Sequence, residues 1–385
     1  MGWNRGARHR PSRQAWLPVG VAAVACALVV TGAMLVTSRH GVPAADHARP
    51  ASSPPPPVPP LTVVSATPAD GATGVAPDAT LTVQFSHAIA PGSATPALQP
   101  AVPGTWARSS PDTMTFTPSA SLPPGTAISV VVPGGPLGVQ ATDGTRLAAS
   151  VADRFTVAPM TTMRLQQLLA LQGYLPVAFM PQSSAPVPPA QLALAQPGGF
   201  LWRWTTLPAA ITSQWVPGQY GVITRGAVMS FEDQHGLATD GIAGPLVWSA
   251  LLAAAAQGQT NPYGHWDWVD VTTALPETVH VWRDGTMVYQ SVANTGVPGA
   301  VTTPGTFPVY LRYRVTTMSG TNPNGTTYHD TGIPWVSYFD GGDALHGFVR
   351  ARYGFPQSDG CVEMPPANAA VVWPYTPIGT LVTVQ

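Results

Sequence analysis

Residues 355–384 read FPQSDGCVEMPPANAAVVWPYTPIGTLVTV, and the run Ser358-Asp359-Gly360-Cys361-Val362-Glu363-Met364 inside them carries the most information in the chain. There are two cysteines, and the other, Cys26, lies in an apolar N-terminal segment. Outside the cytoplasm Cys361 has no partner for an intramolecular disulfide, so this thiol is either inertly buried or kept for its reactivity. Its surroundings favour reactivity. Gly360 directly precedes it, polar residues come before that, and His346-Gly347 lies fifteen residues upstream. Cysteine plus histidine is the minimal kit for thiolate catalysis. The frame around the pair is β: from about Trp266 apolar residues alternate, and ETVHVWRDGTMVYQ (277–290) is two such runs around Asp284-Gly285, a hairpin signal.

Composition narrows the chemistry further. Charged residues are 9% of the 385, against roughly 25% in ordinary soluble domains, while the 44 prolines and 38 glycines point to turn-rich β modules rather than helical bundles. All 17 basic residues are arginine, which excludes Schiff-base, Ser-Lys and P-loop chemistry, since each needs an ε-amine. The length allows two to three domains with cores of their own.

From Gln14 to Ser38 no residue is charged, and residues 15–37 are long enough to cross a hydrocarbon core about 30 Å thick. Arg5, Arg8, Arg10 and Arg13 precede that span. By the positive-inside rule residues 1–14 are expected in the cytoplasm, with the catalytic part in the cell-wall space behind a single-pass membrane anchor. A cleaved signal peptide is the alternative, with Ala44 and Ala45 as its cleavage region. Outside the membrane, 13 arginines against 18 acidic residues leave a net charge of −5, so no nucleic-acid partner is expected. Residues 38–60, with Pro54 to Pro57, Pro59 and Pro60, read as an extended linker.

Between 61 and 158 short alternating runs are separated by turns: Leu81, Val83, Phe85; Met114, Phe116; Ile128, Val130, Val132; Phe155, Val157. This predicts an antiparallel β-sandwich, and TPADGATGVAPDATLTVQFSHAI resembles the opening of bacterial immunoglobulin-like domains. In 159–258 the period becomes helical at Leu165, Leu168 and Leu169, with Gly173 as a stop, and again at Val228 and Phe231, with Gly236 as a stop and Pro245 opening a further helix. Together with GLATDGIAGPLVW (236–248) these pieces resemble the three-helix peptidoglycan-binding domain, interrupted by an insertion at about 180–217. The resemblance implies carbohydrate or peptide binding.

Over 266–385 three stretches occur in order: TGVPGAVTTPGTFPVYLRY, GIPWVSYFDGGDALHG and the opening run. They resemble the L,D-transpeptidase catalytic domain of the YkuD type. The fold class expected is therefore multidomain and mainly β: membrane helix, Ig-like sandwich, small helical peptidoglycan-binding-like domain and β-rich catalytic domain. The resemblance implies Cys361 as nucleophile and His346 as general base, with the Gly347 carbonyl orienting the imidazole. A thiol near its reference pKa of about 8.5 is mostly protonated at neutral pH and needs such a base. The amides of Gly360 and Cys361 are candidates for the oxyanion site. No cofactor is implied; peptidoglycan stem peptides and glycan are the implied partners, and carbapenem-type inhibitors should acylate Cys361.

The chain departs from the family pattern at two places. Asp359 stands where histidine usually precedes Gly-Cys, and Glu363 where arginine commonly follows. If ionised and close to sulfur they raise the thiol pKa; alternatively they face a cationic substrate amine, or position 359 serves through its backbone amide. Arg350 and Arg352 are candidates to grip a substrate carboxylate, Met318, Trp335 and Tyr338 to wall the cleft, and Ser358 to orient the loop. His329, Asp330, Asp343 and His346 with Cys361 lack paired metal-ligand spacing, so no metal is expected. The expected reaction is cross-linking through a thioester with loss of D-alanine. The alternatives are an L,D-carboxypeptidase, protein attachment to the wall, a generic thiol peptidase, and a wall-binding scaffold without catalysis.

Overall fold

The structure, a computed structural model, describes residues 58–385. The expected tail, membrane span, Cys26 and most of the proline-rich linker lie outside the described residues. Among the described residues no helix is long and apolar enough to cross a membrane.

The alternation in the first hundred described residues folds into a two-sheet sandwich. In chain order the strands are β1 (Val63–Thr67), β2 (Leu81–Phe85), β3 (Ala97–Gln99), β4 (Gly104–Ser110), β5 (Thr113–Pro118), β6 (Ala127–Val132) and β7 (Val151–Thr156). One sheet runs β1-β2-β5-β4 and the other β3-β6-β7, every pair antiparallel. Because side chains in a strand point alternately to opposite faces, Leu81, Val83 and Phe85 enter one side of the core and Ile128, Val130 and Val132 the other.

The next domain holds α1 (Thr162–Leu171), β8 (Val177–Pro181), β9 (Gly198–Trp202), α2 (Ala209–Thr212), α3 (Val222–Gln234) and α4 (Pro245–Ala256). Thr161 caps α1, its hydroxyl accepting from the Arg164 N–H at 3.2 Å. The stretch expected as an insertion is not an excursion from the domain. It forms most of the β8–β9 hairpin and α2, and it delivers Leu207 and Ile211 to the same core as Leu168, Val228 and Phe231. Pro186, Pro188, Pro189, Pro197 and Pro208 cut it into pieces too short for a periodicity to show.

The C-terminal domain is built from two sheets. Its strands are β10 (Asp267–Thr272), β11 (Thr278–Arg283), β12 (Thr286–Val292), β13 (Gly305–Pro308), β14 (Leu311–Thr321), β15 (Thr327–Asp340), β16 (Asp343–Gly347), β17 (Val362–Met364) and β18 (Leu381–Val384), with α5 (Pro366–Val372) after β17. The orders are β12-β11-β10-β18-β13 and β14-β15-β16-β17. Asp284 and Gly285 both take left-handed φ, 51° and 74°, which the tight β11–β12 turn requires. Strand parity divides the first sheet: Val269, Val271, Val382 and Val384 face Leu345, Val362 and Met364 of the second sheet, whereas Trp268 and Leu381 enter the core of the helical domain. The helical domain thus covers the back of the first sheet of the C-terminal domain.

Candidate active site

Parity also builds the site. β16 and β17 are parallel neighbours, with Leu345 opposite Val362 and His346 opposite Glu363. Leu345, Val362 and Met364 point into the inter-sheet core, so His346, Cys361 and Glu363 project from the other face and line one cleft of about 800 Å³. Met318, Asn322, Tyr328, Asp330 and Ile333 from the β14–β15 hairpin form its opposite wall.

The histidine is 2% exposed, and its Nδ1 lies 3.1 Å from the Gly347 carbonyl oxygen. A carbonyl only accepts, so Nδ1 carries the proton and Nε2 is left unprotonated. Burial lowers the imidazole pKa, outweighing the Gly347 hydrogen bond and the Glu363 charge that act the other way. Burial pushes the Cys361 thiol up to about 12; a backbone hydrogen bond at Ala344 opposes this, and Asp343, Glu363 and Asp359 add to it. The resting pair is therefore neutral thiol and neutral imidazole. The thiol donates to the Gly342 carbonyl, Sγ to O 3.6 Å.

Backbone and side-chain contacts from the β12–β13 connection fix the loop that carries Cys361. Asn294 and Glu363 exchange N–H···O bonds of 2.8 and 2.9 Å, the Ser358 N–H donates to the Thr295 carbonyl at 3.0 Å, and Val297 N–H to the Ser358 carbonyl at 2.9 Å. Thr295 is itself held by the buried Glu277 carboxylate, which accepts from its N–H and its hydroxyl, both at 2.6 Å. Ser358 lines the cleft and is largely buried; its hydroxyl donates to the Cys361 carbonyl, which ties the loop together. Gly360 has φ 111°, and the space a side chain would take there is filled by the Asp343 carboxylate, whose Oδ2 accepts from Thr303 N–H at 3.1 Å.

The remaining sequence candidates separate. Asp359 and Met318 line the cleft. Tyr338 packs beside Ile333, Val336 and Ala344 together with Cys361. Arg350 is not free to present its fork to a substrate carboxylate, because Nε and Nη2 each donate to Glu363, both at 2.7 Å. That same pair takes Glu363 away from the cationic amine considered for it. Arg352 is exposed, lies outside the cleft wall and sits over the Phe355 ring. Trp335 is turned out of the cleft: its φ of 60° breaks the alternation of β15, so Ile333, Val336 and Tyr338 share the Cys361 side while Trp335 joins the inter-sheet core, 5.6 Å from Trp373. His329 is exposed and bonds Ser319 at 2.7 Å. Among the described residues no cluster of three or more His, Cys, Asp or Glu side chains is placed to hold a metal ion. Sequence reasoning missed Glu277, Tyr310 and Tyr328. Tyr328 lines the cleft; burial raises the pKa of both tyrosine hydroxyls, with Asp340, Asp343 and Cys361 adding for Tyr310 and Cys361, Asp359 and Asp330 for Tyr328. No periodicity in the sequence signals any of the three.

This architecture agrees with family comparisons. Residues 267–384 match the model of the L,D-transpeptidase catalytic domain. Residues 57–157 match that of the bacterial Ig-like domain and residues 190–251 that of the peptidoglycan binding domain, the latter beginning inside the expected insertion and leaving α1 out. The chain is thus a mainly β, multidomain protein with an L,D-transpeptidase catalytic domain at its C-terminal end. Similar solved structures include an L,D-transpeptidase from Mycobacterium smegmatis, at 14% identity over 85% of this chain and 100% of that one with a TM-score of 0.28. The catalytic domain of the E. faecium L,D-transpeptidase matches at 24% identity over 31% of this chain and 95% of that one, TM-score 0.29. L,D-transpeptidase 3 from Mycobacterium tuberculosis, in complex with a faropenem-derived adduct, matches at 13% identity over 84% and 97%, TM-score 0.29. No curated protein matches the chain.

Proposed function

We propose that this chain is an L,D-transpeptidase acting on peptidoglycan stem peptides through a Cys361 thioester. The observation that carries the reading is the projection of Cys361 and His346 from one face of adjoining strands into a single cleft, with Nδ1 of the imidazole occupied by Gly347. Because thiol and imidazole are both neutral at rest, attack and proton transfer are coupled. Sγ bonds to the carbonyl carbon after the diaminopimelate residue of a tetrapeptide stem, and its proton passes to Nε2 of His346. The oxyanion is received by the amides of Gly360 and Cys361. Collapse breaks the C–N bond, and the imidazolium returns its proton to the departing D-alanine amine. A side-chain amine of a second stem then attacks the thioester carbon, giving its proton to His346, and the sulfur leaves to be reprotonated, closing the cross-link.

The N-terminal apolar segment anchors the enzyme in the membrane with its catalytic domain in the cell-wall space, and the Ig-like domain acts as a spacer. Carbapenems acylate Cys361 by the same first step. The decisive experiment gives residues 61–385, and the same piece with Cys361→Ala, a diaminopimelate tetrapeptide and follows products by mass. Dimer with loss of D-alanine from the intact enzyme alone supports the proposal, and tripeptide alone makes the enzyme an L,D-carboxypeptidase. The carboxylates crowding the sulfur favour one rival, a non-catalytic wall-binding scaffold; absence of turnover with retained wall binding would decide for it.

A further inference from the structure

Glu363 is 4% exposed and stands opposite His346 in the β16–β17 register, on the same face as Cys361 two residues before it. An unpaired carboxylate in that position opposes the thiolate and draws a proton onto the imidazole. Other acidic groups already act on the pair: Asp343 from β16, Asp359 from the cysteine loop and Asp330 from β15, with Tyr328 in the cleft wall and Tyr338 packed beside Cys361. Among the described residues lining the cleft, Arg350 supplies the one guanidinium.

Its placement is fixed from several sides. Nε and Nη2 reach the two Glu363 oxygens at 2.7 Å each, Nη2 also donates to the Gln357 carbonyl at 3.2 Å, and the guanidinium carbon lies 4.6 Å from the centre of the Phe348 ring. A bidentate pair of this kind holds both partners in one geometry and spreads the compensating charge over both carboxylate oxygens. The arginine reaches Glu363 from the loop after β16.

We propose that Arg350 is a positioning residue for the thiol–imidazole pair: its forked ion pair with Glu363 offsets part of that carboxylate's opposition to the Cys361 thiolate. This rests on Cys361 being the nucleophile. The test is the pH profile of iodoacetamide alkylation of Cys361, read on its own peptide by mass, in the full chain and in Arg350→Met, Glu363→Gln, the double variant and Arg350→Lys. Arg350→Met is expected to slow alkylation at pH 8 by about tenfold, the effect of a one-unit rise in thiol pKa, and to displace the profile to higher pH. Removing the carboxylate as well, in the double variant, brings the profile back to that of the parent or to lower pH. Arg350→Lys, which keeps the charge and loses the fork, lies between parent and Met variant and serves where the Met variant fails to fold. An Arg350→Met profile superimposed on the parent's, a loss the double variant does not recover, or a Lys variant as slow as the Met variant overturns the proposal. Alkylation needs no peptide substrate, so lack of turnover on stem peptides would defeat the transpeptidase reading while leaving this test intact.

Discussion

The Asp343 carboxylate occupies the space that a side chain on Gly360 would need, directly before the thiol-bearing Cys361. With φ at 111°, Gly360 is also in a region that other L-residues rarely adopt. Gly360→Ala is therefore expected to displace the 360–361 amides and lower the rate of Cys361 acylation by a carbapenem by about a hundredfold, the cost of losing one oxyanion donor. Asp343→Ala in the same chain relieves the crowding and not the backbone, so it should restore little. Full recovery in that double variant would show that crowding alone was at issue.

The neutral resting pair has a kinetic signature. With the thiol pushed up to about 12, alkylation of the free enzyme should go on rising with pH above 9. Burial holds His346 neutral through the same range. A rate that levels off below pH 8 would mean a preformed thiolate–imidazolium pair instead.

Glu277 anchors the loop at one remove, through Thr295 to Ser358. Glu277→Ala leaves a buried N–H and a hydroxyl without their acceptor, which costs about 1–3 kcal/mol. The midpoint of urea denaturation should fall accordingly, and carbapenem acylation should slow with it.

In the helical domain, Glu232 is fully buried; Oε2 accepts from Gly241 N–H at 2.9 Å and Oε1 has no partner. Burial raises its pKa from 4.5 to about 7. The folded state then holds this proton more tightly than the unfolded state, so the group's contribution to stability is complete below about pH 4.5, is lost as pH rises to about 7, and is level above that. Glu232→Gln should flatten this part of the melting-temperature profile and raise stability at pH 8. An unchanged profile would remove Glu232 as its source.

Trp268 is wholly buried, and its indole N–H donates to Thr383 Oγ1 at 2.9 Å. It extends from the catalytic sheet into the core of the helical domain. Trp268→Ala should cost about 3–5 kcal/mol, measured by urea denaturation of residues 61–385. Residues 266–385 made alone, with Trp268 and Leu381 uncovered, should bind a hydrophobic dye and aggregate.

Much of the fold could be read locally because a strand's alternation records which side chains share a face. Leu81, Val83 and Phe85, the Asp284-Gly285 hairpin and the Pro245 helix start are all properties of a few neighbouring residues. The segment 180–217 was opaque for the converse reason: its prolines break it into short pieces, and Ile211 belongs to a helix of only four residues, Ala209–Thr212, too short to show a period.

For the site, the candidate reacting groups, Cys361 with a glycine before it and His346 with a glycine after it, could be named from the chain alone, since residue identity carries that chemistry. Tertiary structure alone decided their electrostatics. Arg350 meets Glu363 across 13 residues of chain, Glu277 meets Thr295 across 18, and Trp335 leaves the cleft through a single backbone torsion. Charge pairing depends on distance and burial in space, and a linear pattern records which face a side chain takes but not what it meets there.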